Sequence, residues 1–177
     1  MGEPPSPTGA AAVIVVGADE QDEVDVDLDR WTELARHALE DEGRHGELTL
    51  TFVDRGEIAA LNREHLGHDG PTDVLSFPLD AATEALGGAG VPALLGDVVV
   101  CPGVAAEQAA SHAGTLDDEL ALLVVHGVLH VVGHDHAEPD EAHLMRAREL
   151  EHLQRHHWRG PVPAGFRQEH DGEEGSP

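Results

Sequence analysis

Four histidines fall within eleven residues of the chain, in the stretch HGVLHVVGHDH from His126 to His136. On a helix, His126 and His130 project from the same face, one turn apart. Gly133 follows the apolar run, where helices commonly end in a left-handed residue, and such a turn brings His136 back to the same point. Three imidazoles that leave one tetrahedral position open are typical of a catalytic zinc site with a bound water. The stretch therefore predicts a metal site on these three histidines.

The alternative to a metal site is chance clustering among the 14 histidines of the chain. A lone histidine on an apolar helix face is more often a hydrogen-bonded core residue. Three histidines at this spacing, with a glycine at the turn, favour a metal site. His134 is an alternative fourth ligand and Asp135 an alternative hydrogen-bond acceptor for a ligand, unless both are exposed turn residues. Surface positions are expected for the histidines of the last predicted helix, His143, His152, His156 and His157.

Gly127 occupies the position where zinc peptidases with the H-E-x-x-H motif carry a glutamate as general base. Because glycine has no side chain, the base is another residue, hydroxide on the metal, or the substrate itself. A metal lowers the pKa of its bound water to about 7, so this hydroxide is available at neutral pH. A scissile amide needs a proton for its leaving group, whereas a phosphodiester needs its charge neutralised by a metal or an arginine. Gly127 therefore weakens the case for a peptidase without excluding metal-assisted hydrolysis.

Strands and helices alternate around this stretch. Apolar runs and alternation predict strands at residues 12–16, 47–53, 73–78 and 95–102. Helical spacing predicts helices at residues 28–43, 55–67, 103–114, from 115 to the turn at 133, and 140–157. Thr115 and Asp118 resemble a capping box, and the apolar residues after them cover nearly every face, so this helix is predicted to be buried. The predicted fold is α+β, a single domain with a mixed four-stranded sheet, about five helices and a central buried helix that carries the histidines.

Two local expectations complete the predicted elements. The acidic segment from Asp19 to Asp25 is expected to form a solvated loop. The last helix is amphipathic, and its apolar side is predicted to consist of Leu144, Ala147, Leu150 and Leu153.

Length and composition predict one domain with disordered tails. The chain has 177 residues, of which 40% are hydrophobic. The Pro- and Gly-rich ends predict disorder at residues 1–11 and 159–177, with the folded domain at 12–158. Cys101 is the single cysteine, so no disulfide forms within the chain, which fits a reducing compartment. No apolar run reaches about 18 residues and no secretory signal begins the chain, so a cytoplasmic protein without a membrane partner is expected.

The charge of the chain is strongly negative. The chain has 35 acidic residues and ten basic ones, all of them arginine, which give a formal net charge of -25. Proteins that bind nucleic acids usually carry a basic patch, because phosphate contacts supply most of the affinity. On charge alone, nucleic-acid binding is disfavoured, and any patch that binds it must be local, built from arginine and assisted by a metal.

Three segments of the chain carry a resemblance to one protein family. HGVLHVVGHDH resembles the H-G-x-L-H-L-x-G-[YH]-D-H signature of the YbeY family of bacterial endoribonucleases and rRNA maturation factors. The pair Leu61-Asn62 followed by PTDVLSFP at 71–78 looks like a second signature, and LGDVVVCPGVAAEQA from Leu95 looks like a third. Met145 and Glu149 resemble the M-x-x-x-E pattern of the closing helix, so the resemblance spans residues 12–155.

The resemblance implies both a fold and an activity. The fold is α+β with a mixed sheet, and one zinc ion per chain is held by His126, His130 and His136. The activity is single-strand-specific cleavage of RNA in 16S rRNA 3′-end maturation and in ribosome quality control. The implied partners are rRNA and the small ribosomal subunit, with neither DNA nor a membrane.

One position departs from the family pattern. Many members carry an arginine shortly after the Leu-Asn pair that is thought to meet the RNA phosphate, and Leu66 stands at that position here. Arg63 lies three residues earlier, and on a helix it shares that face, so it is a hypothetical substitute. The alternative for Arg63 is an ordinary exposed helix arginine.

Three polar residues near the second and third signatures have open roles. Strand alternation puts Asp73 and Ser76 on opposite faces, so only one of them is expected to face the metal cleft. Asp73 is alternatively a turn cap after Pro71. Asp97 is either a turn residue or an anchor at the sheet edge.

Two other functions compete with the endoribonuclease hypothesis. A metzincin-like metallopeptidase shares the histidine spacing but needs the glutamate that Gly127 replaces. A non-catalytic ribosome-assembly factor, in which the metal only braces the fold, fits the acidity of the chain and Leu66, since both weaken contact with RNA.

Overall fold

The computed structural model describes residues 12–79 and 93–168. Within these residues lie four strands and five α-helices, and strands and helices alternate from β1 to β3, as predicted. The strands are β1 (Val13–Glu20), β2 (Gly46–Val53), β3 (Val74–Pro78) and β4 (Leu94–Val100). The helices are α1 (Leu28–Asp41), α2 (Arg55–Leu66), α3 (Pro102–Gln108), α4 (Leu116–Val131) and α5 (Pro139–His156).

The four strands form one mixed sheet in the order β1-β2-β4-β3, which confirms the predicted α+β fold. β1 pairs in parallel with β2, and β2 pairs in parallel with β4. β3 runs antiparallel to β4 at the edge, with Ser76 opposite Val98. α4 packs on one face of this sheet, where it contacts both β3 and β4.

α4 is the centre of the hydrophobic core. Eleven of its 16 residues are buried, and it packs against α1, α5, β3 and β4. The helix begins where the sequence predicts, since the hydroxyl of Thr115 accepts a hydrogen bond from the backbone N–H of Asp118 at 3.1 Å. Burial on nearly all faces explains why this helix has little amphipathic character, and it holds His126 and His130 in a rigid frame.

β1 is longer than the sequence indicates. Asp19 and Glu20 were assigned to a solvated loop, but they continue the strand and pair with Phe52 and Val53. Both acidic side chains are exposed. β1 is an edge strand, and an edge strand can carry charged side chains on its solvent side without breaking the ladder of hydrogen bonds.

The buried face of α5 is not the predicted one. Leu153 is buried as expected, but Leu144 is 55% exposed, while Met145, Glu149 and His152 are all at most 3% exposed. The prediction that His152 lies on the surface is therefore wrong. Apolar periodicity gave the wrong face because Glu149 and His152 are buried with polar partners from distant parts of the chain.

Part of the segment assigned to the C-terminal tail packs against the domain. The rings of Trp158 and Phe166 meet at a centroid distance of 4.8 Å, and both side chains contact the core. Gln168 donates hydrogen bonds to the carbonyl oxygen of Arg146 and to Glu149. Contacts of the domain therefore continue past the predicted boundary at 158, to Gln168. The predicted tail at 1–11 lies outside the described residues.

Candidate metal centre

Three imidazole rings meet where α4 ends. The ring centroids of His126 and His130 lie 4.6 Å apart, and that of His136 lies 5.7 Å and 5.0 Å from them. One nitrogen of each ring lies within 4.8 Å of those of the other two, which is close enough for all three to bind one ion. All three residues are half-buried and line a cleft. The structure thus brings together the three residues that the sequence singles out.

Glu149 fixes the orientation of the first histidine. Its Oε2 atom lies 2.6 Å from Nδ1 of His126, and its Oε1 atom accepts a hydrogen bond from the side-chain amide of Gln168 at 2.8 Å. The glutamate is 3% exposed, so water does not compete for it. Because a carboxylate only accepts, Nδ1 of His126 carries the proton and Nε2 presents a lone pair, as in metal sites with a carboxylate behind the histidine.

His130 is uncharged at neutral pH. Burial, and then the neighbouring rings of His126 and His136, lower the pKa of His130 from 6.5 to about 4. A neutral imidazole is the form that binds a metal, so this histidine does not have to lose a proton first.

The turn after α4 places the third histidine. Gly133 has a φ of 111°, a conformation that favours glycine, and its N–H donates to the carbonyl oxygen of His130 at 3.1 Å. The Oδ1 atom of Asp135 accepts a hydrogen bond from the backbone N–H of His136 at 2.7 Å. The predicted glycine turn is confirmed, and Asp135 braces the backbone at His136.

His134 lies apart from this group. Its Nε2 atom is 3.3 Å from Oε1 of Glu42, at the C-terminal end of α1. The hypothesis of a fourth ligand at His134 is therefore not supported, because this contact turns the side chain toward α1.

The cleft in front of the histidines runs along β3 and the end of α2. Asp73 and Ser76 both line it, whereas the sequence predicted that only one of them faces the metal. That prediction assumed a regular strand through both residues, but Asp73 precedes β3. Asp97 is an exposed residue of β4 opposite Phe77, so it is a strand residue and not a turn residue.

A series of hydrogen-bonded side chains fixes the carboxylate of Asp73. The side-chain amide of Gln108 donates to Oδ2 of Asp73 and to Oε2 of Glu119, both at 2.8 Å. Glu119 is fully buried and also accepts from the backbone N–H of Ala113 at 3.1 Å, with Nδ1 of His112 2.8 Å from its Oε2 atom. This series fixes a carboxylate at the wall of the cleft.

The comparisons with known proteins agree with this geometry. A family model described as Endoribonuclease YbeY matches residues 17–157. The chain belongs to the endoribonuclease YbeY family. The match begins within β1 and extends just past the end of α5, so it includes the whole histidine cluster.

Individual YbeY relatives cover most of the chain. The Endoribonuclease YbeY of Salinispora tropica is 48% identical over 131 residues, which are 70% of this chain and 83% of the relative. That of Acidothermus cellulolyticus is 46% identical over 138 residues, 73% of this chain and 84% of the relative. The solution structure of TM1509 from Thermotoga maritima matches with a TM-score of 0.58 and 26% identity, over 82% of this chain and 91% of that one.

Packing explains the glycine that separates this motif from that of the peptidases. A Cβ atom at Gly127 would lie 2.5 Å from Cγ1 of Val98, far closer than real contacts. The hydroxyl of Ser76 also lies against this turn of α4, 3.3 Å from the carbonyl oxygen of Gly127. A glutamate therefore has no room here, because α4 rests directly on β4 at this point.

The position at which many YbeY members carry an arginine lies at the cleft. Leu66 is 54% exposed and lines the cleft, at the end of α2. Arg63 is exposed one turn earlier and is not among the residues that line the cleft. Leu66 therefore lines the same cleft as the three histidines, and Arg63 does not.

Sequence reasoning missed the residues that support the site. In the sequence, Glu149 stands out only as part of the M-x-x-x-E pattern, and no motif includes a role for Gln108, Glu119 or Gln168. Nothing in the local pattern marks them, because their partners lie far away in the chain. Glu149 is the exception, because it lies on the same helix face as Met145. A glutamate that is buried on such a face needs a polar partner.

None of the helices in the described parts of the chain is both long and apolar enough to cross a membrane.

Proposed function

We propose that His126, His130 and His136 hold one divalent metal ion, zinc, and that the chain uses it to cleave single-stranded RNA. The observation that carries this proposal is the convergence of three histidine nitrogens within 4.8 Å at the wall of a cleft. Membership of the endoribonuclease YbeY family supports the RNA substrate.

The donor set fits such an ion. Imidazole suits zinc among the common divalent metals, and three neutral histidines leave one position open for water or substrate. Glu149 orients His126 from behind, and the lowered pKa of His130 keeps that ring ready to bind. When bound, the metal supplies a Lewis acid that polarises a phosphoryl oxygen and makes hydroxide available near neutral pH.

The residues of the chain supply positioning and proton transfer. Asp73 lines the cleft and is anchored by Gln108, so it is our candidate for the base that Gly127 cannot provide. The hydroxyl of Ser76 lines the same cleft, and it would donate to a phosphoryl oxygen by giving up its 3.3 Å hydrogen bond to the carbonyl oxygen of Gly127. A water molecule that attacks the phosphorus atom would give one proton to the Asp73 carboxylate and form the new P–O bond, while the P–O bond to the leaving oxygen breaks and that oxygen takes up a proton from solvent.

The cellular role follows from the family. We infer that the substrate is the precursor of 16S rRNA near its 3′ end, that the protein works with the small ribosomal subunit in maturation and quality control, and that it does so in the cytoplasm. Arg63 stays a prediction for phosphate contact, and an Arg63→Ala variant that cleaves RNA at the wild-type rate would remove it.

The test compares substrates and metal states. The protein is incubated with single-stranded RNA, duplex RNA and casein, before and after a chelator, and again after zinc is restored. We expect cleavage of single-stranded RNA alone, lost with the chelator and recovered with zinc. Casein degradation that the chelator stops would favour the metallopeptidase. Unfolding on chelation, without RNA cleavage at any zinc concentration, would favour a metal that only braces the fold.

A further inference from the structure

A second group of metal-binding side chains lies away from the cleft, where the end of α1 meets α5. Asp41 ends α1, and His152 and His156 lie one turn apart on α5. One ligand atom of each lies within 4.8 Å of those of the other two. We propose that Asp41, His152 and His156 form a second site for a divalent ion of the kind that imidazole favours, with zinc as the first candidate.

His152 presents an unused nitrogen to this group. The residue is 1% exposed, so its ring nitrogens are shielded from water. Among the described residues, no group forms a hydrogen bond with its buried Nδ1 atom. This atom lies 3.8 Å from Oδ2 of Asp41, which is too long for a hydrogen bond but leaves room for an ion that both atoms bind. A buried polar atom without a partner is costly, and a bound ion removes that cost.

Glu42 fixes which nitrogen of His152 is unused. Its Oε2 atom lies 2.6 Å from Nε2 of His152 and accepts a hydrogen bond from Nε of Arg148 at 2.9 Å. The guanidinium group of Arg148 forms an ion pair with this carboxylate. An ionised carboxylate only accepts, so Nε2 of His152 carries the proton and Nδ1 keeps its lone pair.

The arrangement repeats the logic of the first site. His152 and His156 have the same i, i+4 spacing as His126 and His130, so each pair projects from one helix face. In each pair, one ring nitrogen of the first histidine meets a glutamate. Nε2 of His152 meets Glu42, and Nδ1 of His126 meets Glu149. Such a carboxylate orients a metal-bound histidine.

Solvent reaches this site, and the arginine that binds Asp41 can move away from it. The side chains of His156 and Asp41 are 16% and 23% exposed. Oδ2 of Asp41 accepts from Nε2 of His156 at 2.6 Å and from Arg155 at 2.9 Å. Arg155 is 55% exposed and also contacts Glu151, so it can leave Asp41 without losing an acidic partner. The net charge of -25 favours uptake of a cation by the chain as a whole.

Binding at this site would clamp α1 to α5. The two helices are joined here by ion pairs and hydrogen bonds between side chains, and a metal would add a bond to each helix. α5 also carries Glu149, which orients His126, but the ion itself lies apart from the cleft. This proposal therefore does not depend on the proposed RNA cleavage.

The test counts metal equivalents. The full-length protein is stripped with a chelator, dialysed and titrated with Co²⁺, whose visible absorption reports coordination by the protein, and then with Zn²⁺ in competition. We expect two equivalents for the wild type, one for His130→Ala, one for His156→Ala and none for the double variant. His143→Ala is the matched control, because His143 is exposed on the same helix, and it should bind two equivalents.

A second variant guards against loss of folding. Asp41→Asn keeps the shape of the side chain and is expected to weaken the second equivalent at least tenfold, with an unchanged far-ultraviolet circular dichroism spectrum. The proposal is overturned if the wild type binds a single equivalent that His130→Ala loses and His156→Ala keeps, or if folded His156→Ala and Asp41→Asn proteins bind as much Co²⁺ as the wild type. A loss of RNA cleavage in His130→Ala bears only on the first site.

Discussion

At the scale of single residues, the site depends on a carboxylate that does not touch the cleft. Glu149 holds the proton of His126 on Nδ1, and Gln168 in turn holds Glu149. The negative charge also raises the basicity of the ring, which strengthens its bond to a metal. Metal affinity is therefore expected to depend on a residue that is not a ligand.

Replacement of Glu149 by glutamine tests this dependence. Glutamine keeps the size of the side chain but removes its charge, so we expect zinc affinity at the first site to fall about 10- to 100-fold. The measurement is competition with a chromophoric chelator in a His156→Ala background, which isolates the first site. Glu151→Gln is the matched control, since Glu151 is exposed on the same helix. Equal zinc affinity of Glu149→Gln and the control would show that the carboxylate does not orient His126.

At the scale of elements, the position of the histidines depends on how closely α4 approaches the sheet. Gly127 allows this approach, because any side chain there meets Val98 of β4. His126 precedes this contact directly, so the same packing that excludes a glutamate also sets the depth of the first ligand.

A Gly127→Ala variant tests this close packing of α4 on β4. Its added methyl group overlaps Val98, so we expect the free energy of unfolding to fall by about 1–3 kcal/mol in urea denaturation. Val98→Ala removes the opposing atoms, and the double variant should show a smaller loss than the sum of the two single variants. Gly165→Ala is the control, because a Cβ atom there meets nothing within 4 Å. Additive losses in the double variant would exclude the overlap as the cause.

The sequence predicts the helices and strands better than it predicts which of their faces are buried. The helices and strands follow from local periodicity, and α4 with its cap at Thr115 is confirmed. The buried face of α5 was predicted wrongly, because Glu149 and His152 are buried with partners that periodicity does not reveal. Gly127 looked like a missing base, and its packing role becomes visible only when β4 lies beneath it.

At the scale of the whole molecule, electrostatics oppose an RNA substrate. The net charge is -25, and none of the described residues that line the cleft along β3 is an arginine or a lysine, whereas Arg146 lines the adjoining pocket beside His126 and His136. Phosphate contacts supply much of the affinity for nucleic acids, so RNA binding should be weaker here than in YbeY proteins with an arginine at the position of Leu66.

Leu66→Arg should therefore be a gain of function. Leu66 is 54% exposed and lines the cleft, so an arginine fits without repacking and adds one phosphate contact. We expect tighter binding of single-stranded RNA at low salt, and a salt dependence whose log–log slope steepens by about one. Leu66→Gln is the neutral control. Identical salt slopes for the two variants would mean that RNA does not pass this end of α2.

Metal content and RNA cleavage can be measured together in one variant of the histidine cluster. His130→Ala removes a neutral, half-buried ligand from the middle of the cluster. We predict that this protein binds one metal equivalent fewer than His143→Ala and no longer cleaves single-stranded RNA. Cleavage at the wild-type rate by a His130→Ala protein that has lost this equivalent would show that the metal does not take part in cleavage.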